Sequence, residues 1–184
     1  MFSIFAKKKE MTFKASTIND IETIFEFYDM AVEYQKTKFN KHWQGFETEL
    51  IKKEIVENRQ WKIIIDGEIA CVFAITFEDK SIWKEKSNDK AVYFHRIVTH
   101  PKFKGQHFVK RIIDWGKQFA SEKNLDYLRL DTWGDNSELI DYYQKCGFEF
   151  LGIITSDYNG LPKHYDGITL SLFEIKLKRD FEGT

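Results

Sequence analysis

These 184 residues encode a mixed α/β fold, one sheet carrying about four helices, and three stretches say so. From Val92 to Phe119 a run of mostly β-branched and aromatic residues, suited to a buried strand, meets Pro101 and Gly105 and then a stretch in which Phe108, Ile112, Trp115 and Phe119 recur at helical spacing. Pro101 ends the strand because it has no N–H to give the ladder. Asp66-Gly67, between two apolar runs, is the residue pair of a type I′ turn, so an antiparallel hairpin is expected there. After the long helix, Tyr127 to Thr132 alternates as a strand would, with Tyr127, Arg129 and Asp131 opposite Leu128 and Leu130.

In chain order, residues 1–10 read as a tail and 11–184 as a single domain. The segment MFSIFAKKKE has an apolar patch too short for a signal sequence, with its lysines on the wrong side. Met11 opens a strand, MTFKAS. Thr17 and Asp20 then form a capping-box-like pair ahead of a helix whose apolar face is Ile21, Ile24, Phe25, Tyr28 and Val32. A second helix from Phe46 to Glu57 is expected to bury Phe46, Leu50, Ile51 and Ile55. The hairpin strands follow, Trp61 to Ile65 and Glu68 to Phe77. In the second of them Ile69, Cys71, Phe73 and Ile75 share one face while Ala70, Val72 and Ala74 fill the other, and Cys71 reads as core. DKSIWKEKSNDK reads as a solvated link. A last helix starts near Asn136, buries Leu139, Ile140 and Tyr143, and ends at Gly147. Phe150 to Thr155 and Ile168 to Leu177 close the sheet, with a phase change near Leu172 that means a bulge or burial on both faces.

Composition narrows the function classes. With 42% hydrophobic and 31% charged residues the chain has enough apolar surface for a core, and a formal net charge of −1 gives no electrostatic reason to expect nucleic acid. No run is long enough to span a membrane, so no membrane partner is expected. Two cysteines, Cys71 and Cys146, are too few for a disulfide framework, and a reducing cytoplasmic setting is the simpler expectation.

The junction after Val98 has a chemical use. The first turn of a helix leaves N–H groups unpaired and carries a partial positive charge, which suits a phosphate. Lys102, Lys104, Lys110 and Arg111 stand around it.

Taken together, IVTHPKFKGQHFVKRII and DNSELIDYYQKCGFEFLG resemble the two core motifs of the GNAT superfamily of acyl-CoA N-acyltransferases. The resemblance implies a mostly antiparallel central sheet with a splayed strand pair. It implies acetyl-CoA as co-substrate, no metal, a small-molecule or peptide amine as acceptor, and it admits a homodimer. The family's phosphate loop, R/Q-x-x-G-x-G/A, is here KGQHFV: Lys104 stands at the Arg/Gln position, Gly105 matches, and His107 and Val109 replace small residues. By the same resemblance the backbone from Lys104 through Gly105, Gln106, His107 and Phe108 to Val109 holds the pyrophosphate. Ile97, Val98 and Thr99 pair with the pantetheine arm, and Asn136 lies beside it. The second motif is matched by Asn136, Tyr143, Lys145, Gly147 and Phe148.

Acetyl transfer to an amine needs a neutral nucleophile, an oxyanion donor and an acid for the leaving thiolate. Tyr143 fits the acid. The strand from Val92 to Thr99 has no carboxylate, and its titratable side chains Tyr93 and His95 alternate with Phe94 and Arg96, so His95 is the candidate base or water-holder. A zinc site from His95, His100 and His107 lacks a converging spacing. Cys146, before a helix-ending glycine, reads as packing. The acceptor would meet His42, Trp43, Tyr158, His164 and Tyr165, with Asp157 or Asp166 for its charge. The rival reading is a GNAT-like binding or regulatory module whose altered loop no longer supports transfer.

Overall fold

The computed structural model describes residues 10–38, 42–134, 136–155 and 167–177. Seven strands form one sheet: β1 (Met11–Ala15), β2 (Gln60–Ile65), β3 (Glu68–Thr76), β4 (Ala91–Thr99), β5 (Tyr127–Trp133), β6 (Glu149–Thr155) and β7 (Thr169–Lys176). Their order is β1-β2-β3-β4-β5-β7-β6. Every neighbouring pair is antiparallel except β4 and β5, which the crossover helix makes parallel. The β2–β3 turn is as the sequence predicts, with positive φ at both Asp66 (49°) and Gly67 (87°).

Helices α1 (Ile21–Lys38) and α2 (Thr48–Val56) cover one face, where Ile24, Phe27, Tyr28, Ile51 and Ile55 pack on Val72 and Val98. The Thr17 N–H and hydroxyl both donate to the Asp20 carboxylate, at 2.7 and 2.9 Å, and fix the entry to α1. Helix α2 is rotated from its expected setting: Leu50 is 40% exposed, and Glu54 turns inward instead. Its carboxylate is held by Gln60 Nε2 (2.7 Å) and Arg96 Nη2 (2.5 Å), and Arg96 Nε also donates to the Tyr28 hydroxyl.

The lysine-rich link is not simply solvated. It folds into the short helix α3 (Lys80–Trp83) and a 3₁₀ turn (Lys84–Asn88), burying Ile82, Trp83 and Ser87 against Tyr93, Leu170 and Leu172. One fully buried side chain holds it down. Arg129 on β5 donates to Glu174 (2.7 Å), Asp89 (2.5 Å), the Tyr93 hydroxyl (2.9 Å) and the Lys86 carbonyl (2.5 Å).

The opposite face carries α4 (Phe108–Glu122) and α5 (Ser137–Lys145). Phe108, Ile112 and Ile113 of α4 pack on Ile63, Phe73, Phe94 and Leu128. Gly116 lets α4 sit close, since a Cβ there would lie 2.7 Å from Phe94 Cζ. The phase change in β7 is burial on both faces, Leu170 to Phe173 all being buried; the accompanying bulge lies in β6, between Phe150 and Gly152.

Among the described residues no helix is long and apolar enough to cross a membrane.

Candidate active site

Strands β4 and β5 pair only from Ala91↔Tyr127 to Phe94↔Leu130. Beyond that point β4 stays with β3 as far as Thr99 and β5 stays with β7 as far as Trp133, so the two part. A cleft of about 780 Å³ opens between them, lined by residues 94–99 and 130–133. Its volume is that of a small-molecule site. Because backbone N–H and C=O groups demand partners, the freed edge of β4 offers an extended ligand a row of hydrogen bonds.

A bulge adjusts this edge. Arg96 has φ of 50°, and the pairing with β3 slips between Val72↔Val98 and Ala74↔His95. The bulge overturns the expected alternation: Arg96 does not share the face of Phe94 but reaches Glu54 and Tyr28 on the α1–α2 side, its guanidinium 5.0 Å from the Phe46 ring centroid. After it Ile97 packs with the α4-side core, and Val98 with the α1–α2 core.

Of the phosphate-loop candidates Lys104 lines the cleft, as does nearby Pro101, whereas residues 105–109 are not part of its lining. Gly105 (φ 85°) and His107 (φ 54°) both adopt left-handed backbone, and His107 is the N-cap of α4. The Gln106 carbonyl is used by Arg111 Nε at 3.1 Å, and Gln106 N–H points to the Phe103 carbonyl at 3.4 Å. Of the two departures from small residues, His107 is exposed, while Val109, like Phe108, is buried in the core. Lys102 is drawn off to Glu68.

On α5, Asn136 caps the helix by accepting from Leu139 N–H at 3.1 Å, and Asn136, Leu139 and Tyr143 all line the cleft. The Tyr143 ring rests on Phe173 (5.1 Å) and Phe148 (6.1 Å). Burial, reinforced by Tyr142, Cys146 and Asp131, holds its phenol above the usual value of 10, so the hydroxyl is protonated at neutral pH. The Cys146 thiol is likewise raised, by burial, and Cys71 is a core thiol pushed up to about 12.

His95 lines the cleft, but its ring is a weak base. Burial, then the cations Arg96 and Arg59, lower its pKa to about 3. Its Nε2 is shielded and has no partner. His100 lies elsewhere, packed on Phe27 and capping the turn at Lys102, and His107 faces solvent. The group that does form among the described residues is Asp79, His95 and Asp131, one side-chain N or O atom of each lying within 4.8 Å of the others. Sequence reading missed both carboxylates. Asp131 reads as part of the polar face of an alternating strand, and Asp79 falls in the lysine-rich link.

Of the acceptor-side candidates, Trp43 lines the cleft, T-shaped to Phe46 and Tyr28. His42 instead lines a second, smaller hollow beside Asp29 and Gln44. Asp157, Tyr158, His164, Tyr165 and Asp166 lie outside the described residues.

Comparison with known proteins agrees with this architecture. The model of the Acetyltransferase (GNAT) family matches residues 24–148. The N-acetyltransferase YesJ of Bacillus subtilis (strain 168) is 23% identical over 152 residues, covering 78% of this chain and 84% of YesJ. An acetyltransferase of the GNAT family from Listeria monocytogenes 4b F2365 superposes with a TM-score of 0.73 at 22% identity, over 92% of this chain and all of that one. The yncA protein of Salmonella typhimurium, solved with its cofactor acetyl-CoA, superposes with a TM-score of 0.65 at 12% identity, over 95% and 98% of the two chains. The match of the family model over more than half of the sequence establishes that this chain belongs to the GNAT acetyltransferase family.

Proposed function

We propose that the protein transfers an acetyl group from acetyl-CoA to a primary amine of a small molecule or peptide. The observation that carries this reading is the cleft: one wall is a strand edge that β5 leaves unpaired beyond Phe94, and Lys104 and Tyr143 both line it. An extended thioester ligand bound along β4 would use the backbone of Ile97, Val98 and Thr99, with Asn136 beside it. Its phosphates would meet the N–H groups from Gln106 to Val109, with Lys104 as counter-ion.

Acetyl-CoA supplies the thioester carbonyl that the amine attacks. Tyr143, protonated across the neutral range, gives its proton to the departing sulfur, whose acidity resembles that of cysteine. His95, neutral and with Nε2 unpartnered, serves as a hydrogen-bond acceptor that holds a water rather than as a strong base. The exposed ring of His107 supports the enzyme reading over a binding module.

The test is thermal denaturation with acetyl-CoA, followed by thiol release with a panel of primary amines. A ligand at a hundred times its Kd stabilises the fold by about 2.7 kcal/mol, which for a chain of this size raises Tm by roughly 5–10 °C. No shift at millimolar acetyl-CoA sinks the proposal.

A further inference from the structure

Amines are protonated at neutral pH, and an ammonium group has no lone pair with which to attack a carbonyl. Some group beside the thioester must take its proton. The one strand histidine is too weakly basic to do so.

The wall of the cleft opposite β4 holds an arrangement that the fold alone does not explain. Asp131 lines the cleft from β5, yet its Oδ1 is shielded from solvent and unpartnered. His95 Nε2 and Trp83 Nε1 are in the same condition, so three of the four such side-chain atoms among the described residues belong to this one spot. The Trp83 indole N–H is turned toward Asp131, outside hydrogen-bonding geometry but near enough to act on its charge. Each unsatisfied buried group costs about 1–3 kcal/mol, and with Trp83 turned toward Asp131 it is the bare His95 Nε2 beside the Asp131 carboxylate that marks a place kept for a polar guest. Asp79 completes the group; it is held by the Ile82 N–H at 3.2 Å at the start of α3, the helix that Arg129 and the aromatic core pin to the sheet. Atoms up to 4.8 Å apart can share one central oxygen or nitrogen at about 2.8 Å, hydrogen-bond distance. A divalent metal, at about 2.1 Å, would need them drawn in to about 3.5 Å.

We infer that Asp131 takes the proton from the ammonium group of the acceptor, with Asp79 and His95 as positioning residues that hold its carboxylate and one water in place. This rests on the amine-acetylation reading and assigns the acceptor as an alkylammonium compound. One N–H proton passes to Asp131 and on to solvent. The freed lone pair forms the C–N bond as the C–S bond breaks, and the second nitrogen proton reaches sulfur through Tyr143, so the step balances. The electrostatics agree: burial, then the neighbouring Asp79 charge, bring Asp131 to about 7, while burial brings Asp79 to about 6. The groups facing Asp131 are Asp79 and Trp83 from the α3 segment, His95 from β4 and Tyr143 from α5; the cations Arg96 and Arg59 act on His95.

The test has two arms. In the first, the Asp131 carboxyl is titrated by ¹³C NMR in the free protein, with Asp131→Asn to assign the signal. It should titrate near 7, and Asp79→Asn should lower it by removing a like charge. Because the folded-state value lies above the unfolded one of about 3.9, this carboxyl makes the fold less stable as pH rises from about 4 to about 7. Asp131→Asn should flatten that limb of the Tm profile. A carboxyl titrating near 4, unmoved by Asp79→Asn, overturns the inference without any acceptor in hand.

The second arm compares acetylation of spermidine with that of hydroxylamine, which is neutral at pH 7. Asp131→Asn should lower kcat/KM for spermidine by about 10²-fold or more and remove the acid limb of its pH profile. The loss for hydroxylamine should be at least ten-fold smaller, with acetyl-CoA binding unchanged. Equal losses for both amines would make Asp131 structural. Failure of the wild type to bind acetyl-CoA would count against the acetyltransferase reading instead. A zinc- or manganese-dependent rise in Tm, lost in Asp131→Asn, would show a metal site and overturn the inference.

Discussion

Replacing Arg129 with leucine tests how residues 79–89 are held on the sheet. The guanidinium is fully buried and donates to two carboxylates, one hydroxyl and one carbonyl, while the rings of Tyr127 and Trp83 lie 4.6 and 4.9 Å from its Cζ. Glu174, 8% exposed, would lose its ion-pair partner, and Lys86 and Tyr93 would each lose a donor. Breaking a buried pair from one side costs about 3–5 kcal/mol. Asp89, 41% exposed at its side chain, is rehydrated and adds little. For a chain of this length the loss corresponds to a fall in Tm of roughly 10 °C. Urea unfolding followed by tryptophan fluorescence measures it. Adding Glu174→Leu should recover most of the loss, since an apolar pair of similar volume can replace a buried ion pair. A single-variant cost below about 1 kcal/mol, or no recovery in the double variant, would refute the view that Arg129 anchors residues 79–89 to the sheet.

Tyr143→Phe should leave acetyl-CoA affinity and Tm nearly unchanged, because the Phe173 and Phe148 contacts belong to the ring, while turnover falls about 10²-fold; a near-normal kcat would make it a packing residue. His107→Gly relieves a left-handed backbone that costs a non-glycine residue about 1–2 kcal/mol, so Tm should hold or rise and acetyl-CoA affinity should persist. A ten-fold loss of affinity would mean that the imidazole touches phosphate. Gly116→Val drives a Cβ to 2.7 Å from Phe94 and should destabilise by about 1–3 kcal/mol, read by urea unfolding; a neutral result would show that α4 can lift from β4 freely.

The strands and long helices were legible because each buries one apolar face, and burial imposes a period on the sequence. Buried charge has no such period. Arg129 and Asp131 look like the outward half of an alternating strand, yet both lie on a covered face, and Glu54 enters the core where Leu50 was expected. The bulge at Arg96 was also silent, since a single extra residue leaves composition untouched while moving the following side chains to opposite faces. The short helix at residues 80–83 was hidden because two inward residues, Ile82 and Trp83, sit among lysines and acids. Half of the proposed chemistry, Tyr143 and the loop, could be placed from motifs. The carboxylates required contacts between segments far apart in the chain.

The four-pair junction of β4 and β5 also bears on how the chain is made. Strands β1 to β4 are consecutive along the chain and adjacent in space, and so are β5 to β7, so two local groups of strands leave the ribosome one after the other with α4 between them. Until β5 leaves the ribosome, the outer edge of β4 is an unclaimed template for stray strands. In the finished protein residues 91–94 of that edge are claimed and residues 95–99 are left open toward β5. The same stretch of backbone is a liability to the nascent chain and a resource to the folded one.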